Sequence, residues 1–95
     1  MIKLTELVSI RKYTHNDKDY ALREVLINPG HVVCVRSEPD FKTKLSEGLL
    51  PVGLDERQEF SRIVLSSSSV HGSVVVVGST ALIEEKLLKK QLLKG

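Results

Sequence analysis

Apolar positions fall into five short runs and one longer one, separated by polar segments or by segments bearing glycine and proline. From Ile2 to Ile10 polar and apolar residues alternate, with Ile2 and Leu4 on one face and Leu7 available to the other, which is the two-residue period of a strand. The polar stretch RKYTHNDKD, Arg11 to Asp19, leads into Tyr20 to Asn28, where Ala21, Leu22, Val25, Leu26 and Ile27 supply a second strand. The two runs predict a hairpin. Asn28-Pro29-Gly30-His31 has the residue order of a type II turn, whose third position needs a positive φ, and it predicts a sharp bend before a third strand, His31 to Ser37. Phe60 to Ser67 reads as the fourth strand and Val74 to Val77 as the fifth. Thr80 to Lys94 reads as a helix, capped by Ser79 or Thr80, with Glu84 and Glu85 toward its positive end and lysines toward its negative end.

Between the third and fourth strands, residues 38–59 break the pattern with two prolines and two glycines, and Asp40 predicts the cap of a short helix through Glu47 that Gly48 ends. The whole chain, 1–95, is expected to be a single domain.

The apolar residues outnumber what one interior needs. VVCV at 32–35 and VVVV at 74–77 are oily on both faces, whereas an antiparallel sheet normally turns one face to water. On the last helix Leu82, Ile83, Leu87 and Leu93 form one stripe, and Ala81, Leu88 and Leu92 form a second. Exposing Val33, Val35, Val75 and Val77 would forfeit about 1.5 to 3 kcal/mol each, in sum comparable to the stability of a small domain. Self-association is the expectation; a helix and a long loop wrapping a monomer is the alternative.

Composition narrows the function classes. With 95 residues, 41% hydrophobic and 27% charged, the chain has globular bias, and its formal charge of +2 is too small to mark a nucleic-acid binder by itself. One cysteine, Cys34, excludes an internal disulfide and reads as a buried, inert thiol in a reducing compartment. The alternating N-terminus lacks the apolar core of a signal peptide, and no run approaches the roughly 18 residues of a membrane span, so an intracellular, cytoplasmic protein is expected. The three histidines and Cys34 lack ligand-pair spacing, and no nucleophile elbow or phosphate loop is present. Neither enzyme activity, nor a metal, nor a cofactor is expected.

The order of segments, with MIKLTEL, LREVLINPGHVVCV and SRIVLSSSS followed by VVVVGSTALIEEKL, resembles the Sm-like small barrels, including Sm-like proteins of cyanophages. The resemblance spans nearly the whole chain. It implies a mainly β fold, a five-stranded, strongly bent antiparallel Sm-like barrel here followed by a C-terminal α-helix, and a homo-oligomeric ring in the cytoplasm of a bacterial host. It also implies pairing of the fourth strand of one subunit with the fifth of the next, through Phe60, Ile63, Val64, Leu65, Val74, Val75, Val76 and Val77, with Leu88 and Leu92 of the second helix stripe as further candidates for the interface. Single-stranded RNA binding near the pore is implied as well. In place of the family's aspartate-to-asparagine motif the chain has Asn28 to His31, and in place of its arginine-glycine motif it has Val70-His71-Gly72.

The candidate RNA contacts are Asn28 and His31 at the bend, Ser68, Ser69 and His71 in the second loop, and Arg11, Lys12 and Tyr13, with His15 nearby, in the first. An amide or imidazole can hydrogen-bond or stack on an unpaired base, and a basic loop with an aromatic residue combines phosphate contacts with stacking. The competing readings are a turn-capping Asn with a strand-end His, and a solvated hairpin tip. A role without nucleic acid, as an oligomer that binds a host or phage protein through residues 38–59 and the second helix stripe, is the alternative function.

Overall fold

The computed structural model describes residues 1–9, 20–48, 50, 53–55, 57–66 and 71–94, with side chains given for all of these except residues 71 and 90–94. Five strands, β1 (Ile2–Ser9), β2 (Tyr20–Ile27), β3 (Val32–Ser37), β4 (Phe60–Ser66) and β5 (His71–Val77), form one antiparallel sheet in the order β2-β1-β5-β4-β3. Helix α1 (Pro39–Ser46) and the C-terminal helix α2 (Thr80–Lys94) complete a mixed α/β domain. The β1–β2 hairpin forms as expected, in continuous register from Ile2↔Ile27 to Ser9↔Tyr20.

The sheet does not close into a barrel. It ends at β2 on one side and β3 on the other, and the two are joined only by Asn28 and a single 3-10 turn, Pro29–His31. A flat sheet would hold strands four places apart at about 19 Å. The corner between Ile27 and Val32 is far too short for that, covering roughly 10 Å at the rise of a 3-10 turn. The sheet therefore curls, and residues from both outer strands meet in one cluster: Ile27 and Val25 of β2 pack with Val32 and Val35 of β3 around Ile2, Leu4, Ile63 and Val76. Helix α2 packs over this concave face through fully buried Ile83 and half-buried Leu87.

The opposite face is covered by α1 and the segment after it. Phe41 and Leu45 of α1, with Leu50 and Leu54, pack on Leu7, Phe60, Val75, Val77 and Tyr20. Phe41 meets the Tyr20 ring edge-on at 5.2 Å and Phe60 at 6.1 Å, so three of the four aromatic residues form one cluster. The two-faced run VVVV is thus consumed within the chain: Val76 and Val74 face α2, and Val75 and Val77 face α1.

VVCV resolves differently. A bulge between Val32 and Cys34 breaks the alternation on β3, with Val32↔Leu65 on one side of it and Cys34↔Val64 on the other. Val32 and Val35, three residues apart, consequently both reach the α2 face, while Val33 is left 63% exposed.

Several expectations are corrected. The corner is a 3-10 turn and not a type II turn, and Gly30 has no positive φ. The strand β5 starts at His71 instead of Val74. Helix α1 has Glu38 at its cap position without a side-chain cap bond, and Asp40 sits in its first turn. The first turn of α2 holds no acidic residue, Glu84 and Glu85 lying beyond it, and Ser79 does cap it, its Oγ accepting from the Leu82 N–H at 3.2 Å. The fourth and fifth strands pair with each other within one chain from Phe60↔Val77 to Ser66↔His71, so β4 has neighbours on both sides and is no open edge. Phe60, Ile63, Val75 and Val76 are core residues at 0 to 7% exposure and are not available as an interface, while Val64, Leu65, Val74 and Val77 are half-buried.

The turn from β5 into α2 is the tightest point of the packing. Gly78 lies at φ +135°, its N–H donates to the Glu59 carbonyl at 2.8 Å, and its carbonyl accepts from the buried Ser61 Oγ at 2.7 Å. A Cβ there would come within 3.2 Å of Ile83 Cδ1 and 3.3 Å of Leu82 Cδ2. Gly78→Ala should therefore cost about 1 to 3 kcal/mol in urea unfolding. A loss below about 0.5 kcal/mol would mean that the turn relaxes freely.

Candidate nucleic-acid interface

Antiparallel pairing brings five strand ends to one end of the sheet. Tyr20 of β2 lies opposite Ser9 of β1, Val32 of β3 opposite Leu65 of β4, and His71 of β5 opposite Ser66 of β4. Because β1 runs against β5, with Leu7↔Val75, Ser9 also points to the end at which β5 begins. Residues 10–19 and 67–70 are hence connected to the sheet at the same end, whereas His31 lies on the corner that leaves β2 at Ile27, opposite Ile2 at the other end of the β1–β2 hairpin, and enters β3 opposite Leu65. Arg11, Lys12, Tyr13, His15, Ser68 and Ser69 lie outside the described residues, as do the side chains of His71 and Leu92; the backbone of His71 is described.

At the corner itself the structure separates the two candidates. Asn28 is half-buried, and its Oδ1 accepts a hydrogen bond from the Gly30 N–H at 2.9 Å, while its carbonyl accepts from the His31 N–H at 3.0 Å. Its side-chain oxygen thus caps the turn. His31 is exposed and ends the turn. Helix α2 starts beyond the far end of β5 and packs against this corner as well as against β1, β3 and β4.

A second feature lies on the sheet face opposite α2, on strands that the sequence pattern marks only as apolar. Arg36 of β3 stands directly across from Arg62 of β4. The Arg62 Nε donates to Glu38 Oε1 at 2.6 Å and one terminal nitrogen donates to Ser73 Oγ at 2.7 Å. Arg36 is exposed and has no ion pair or side-chain hydrogen bond among the described residues. Cys34 and Val64, paired across β3 and β4 on this face, lie between the arginines and Ser66. Cys34 is half-buried and not sealed in the core as expected. The signal in the sequence was one arginine inside each of two apolar runs, VVCVRS and FSRIVLS, but the bulge at Val33 hides the register that sets them opposite each other.

Elsewhere the chemistry is sparse. The carboxylate of Glu6, on the α2 face, receives Arg23 Nε at 3.0 Å, a cross-strand pair with the acid mostly buried and the base mostly exposed. A groove of about 560 Å³ runs between α1 and Leu54, lined by Lys42, Thr43, Leu45 and Ser46. No cluster of three metal-ligating side chains occurs among the described residues. No helix of the described residues is long and apolar enough to cross a membrane.

Comparison with protein-family models, with curated proteins and with solved structures finds no match. The likeness to Sm-like proteins gains no support from these comparisons.

The capping geometry at Asn28 yields a direct test. Asn28→Ala should lower unfolding stability by about 1 kcal/mol, whereas Asn28→Asp, which keeps the accepting oxygen, should stay near the parent. Thermal or urea melts of both variants check this; equal melts for Ala and parent would free Asn28 for a ligand.

Proposed function

We propose that this protein is a non-enzymatic, homo-oligomeric module that binds single-stranded RNA. The observation that carries the proposal is that the segment with Arg11, Lys12 and Tyr13 and the segment with Ser68 and Ser69 are both joined to the end of the sheet where β5 begins, while exposed His31 precedes β3 at a corner that leaves β2 from the opposite end of its hairpin with β1. Bases that leave a single strand stack on aromatic and imidazole rings, while lysine and arginine follow the phosphates. A relation of this strongly bent, open five-stranded sheet to Sm-like proteins is part of the same proposal; its support is the curl imposed by the short corner and the resemblance in the order of segments.

Self-association is favoured by the two outer strands. Both β2 and β3 have one unpaired edge, and β2 presents Leu22 and Leu26 at 37% and 56% exposure while β3 presents Val33. Open strand edges with apolar side chains invite a further strand. A copy of the chain joining β2 to β3 of its neighbour would continue the sheet from one subunit to the next, and this replaces the fourth-to-fifth pairing as the route to a ring. Exposed Leu82 and Leu88 on α2 add apolar surface. The same exposed residues favour the second reading, an oligomer that binds a host or phage protein and no nucleic acid.

Native mass spectrometry and filter binding with short uridine-rich and adenine-rich RNA, at two salt concentrations, separate these. The expected result is a homo-oligomer with RNA affinity that falls as salt rises. A single 10.6 kDa species sinks the oligomer. An oligomer with no RNA affinity at low salt, and with protein partners that survive nuclease treatment, establishes the second reading instead.

A further inference from the structure

We infer that Arg36 and Arg62, with the Ser73 hydroxyl, form a binding site for one phosphate group on the sheet face opposite α2. The inference rests on the RNA-binding proposal in taking the phosphate to be a phosphodiester of a single strand. Like charges set directly across two strands oppose pairing. Arg36 and Arg62 occupy such a position, and among the described residues Glu38 supplies one carboxylate against two guanidiniums, which leaves one positive charge uncompensated. That surplus equals the charge of one phosphodiester.

The geometry is prepared on one side and open on the other. Glu38 and Ser73 hold the Arg62 guanidinium through two hydrogen bonds, and its side chain is 37% exposed. A guanidinium fixed by its Nε and one terminal nitrogen has its remaining donors free, and a second guanidinium alongside completes a fork of the kind that phosphate oxygens accept. Among the described residues Arg36 has no competing acceptor to give up. From Arg62 the same face passes Val64 and Cys34 to Ser66, at the sheet end where the two loops attach. The levels of Arg62 and Ser66 are four residues apart, roughly 13 Å at the rise of a strand. A single strand lying on this face would reach the arginines within a few nucleotides of the loops.

The test uses the full chain with two probes, inorganic phosphate and a short oligouridine with hydroxyl ends, and follows the arginine Nε–H resonances together with RNA affinity. Oligouridine should shift both the Arg36 and Arg62 signals. Arg36→Gln should weaken RNA binding about tenfold at low salt and reduce the salt slope by about one. Arg36→Lys should keep that slope. Lys42→Gln removes an exposed cation from α1, outside the site, and should change neither quantity. If inorganic phosphate moves both arginine signals and oligouridine moves neither, the phosphate site stands and the RNA reading falls. If RNA binds but Arg36→Gln behaves as Lys42→Gln does, or if neither probe moves the arginine signals, the site is overturned and the RNA reading is judged on the loops alone.

Discussion

The constraint on which the rest depends is the length of the corner between β2 and β3. Four residues join the two strands that stand farthest apart in the sheet, and one of them, Pro29, fixes its own φ and offers no N–H to a ladder. The sheet has to curl until its outer strands meet, and the 3-10 turn redirects the chain without laying β3 back along β2. Curling and failing to close are one event. The apolar face becomes concave, so residues from β2 and β3 share a core with β1, β4 and β5, and a single helix is enough to cover the opening.

Covering both faces of a sheet in 95 residues leaves little chain to spare, and its economy explains the local irregularities. Helix α2 must turn back at once from β5, which Gly78 permits by its positive φ and by carrying no side chain against Ile83 and Leu82. The buried Ser61 takes up the Gly78 carbonyl that this turn would strand. On β3 the bulge at Val33 delivers two valines to the concave face from a strand of six residues. Without the bulge Val32 and Val35 would point to opposite faces.

Much of this was legible in the pattern of apolar residues. The hairpin, the five strands within a few residues, the short helix near Asp40 and the final helix all follow from periods of two and 3.6 and from capping chemistry. What escaped was nonlocal. A period of two marks a strand but not its neighbour, so the pairing of β4 with β5 within the chain, which buries Phe60, Ile63 and Val76, could not be read from FSRIVLS or VVVV. Proline-glycine order suggests a type II turn, but Asn28 Oδ1 accepting from the Gly30 N–H favours a 3-10 turn instead. The second stripe of α2 was sound as a pattern, since Ala81 and Leu88 are exposed, but Leu82, assigned to the covered stripe, is exposed too; the surplus on β5 was not real, because α1 and Leu50 absorb it.

The two candidate regions answer different physical demands. The segment with Arg11, Lys12 and Tyr13 offers an aromatic ring beside positive charge; on the sheet face Arg62 is held by Glu38 and Ser73, with Arg36 across from it. A ligand that engages both must be extended, anionic at regular intervals and exposed in its flat groups at one end. Single-stranded RNA, the ligand proposed, meets that description. Several described cations are already paired, Lys3 with Glu24, Arg23 with Glu6, Arg57 with Asp55, Arg62 with Glu38 and Lys89 with Glu85. What matters for an anion is then the few positive charges left without a partner and where the fold sets them, and Arg36 beside Arg62 is one that the sheet register itself creates.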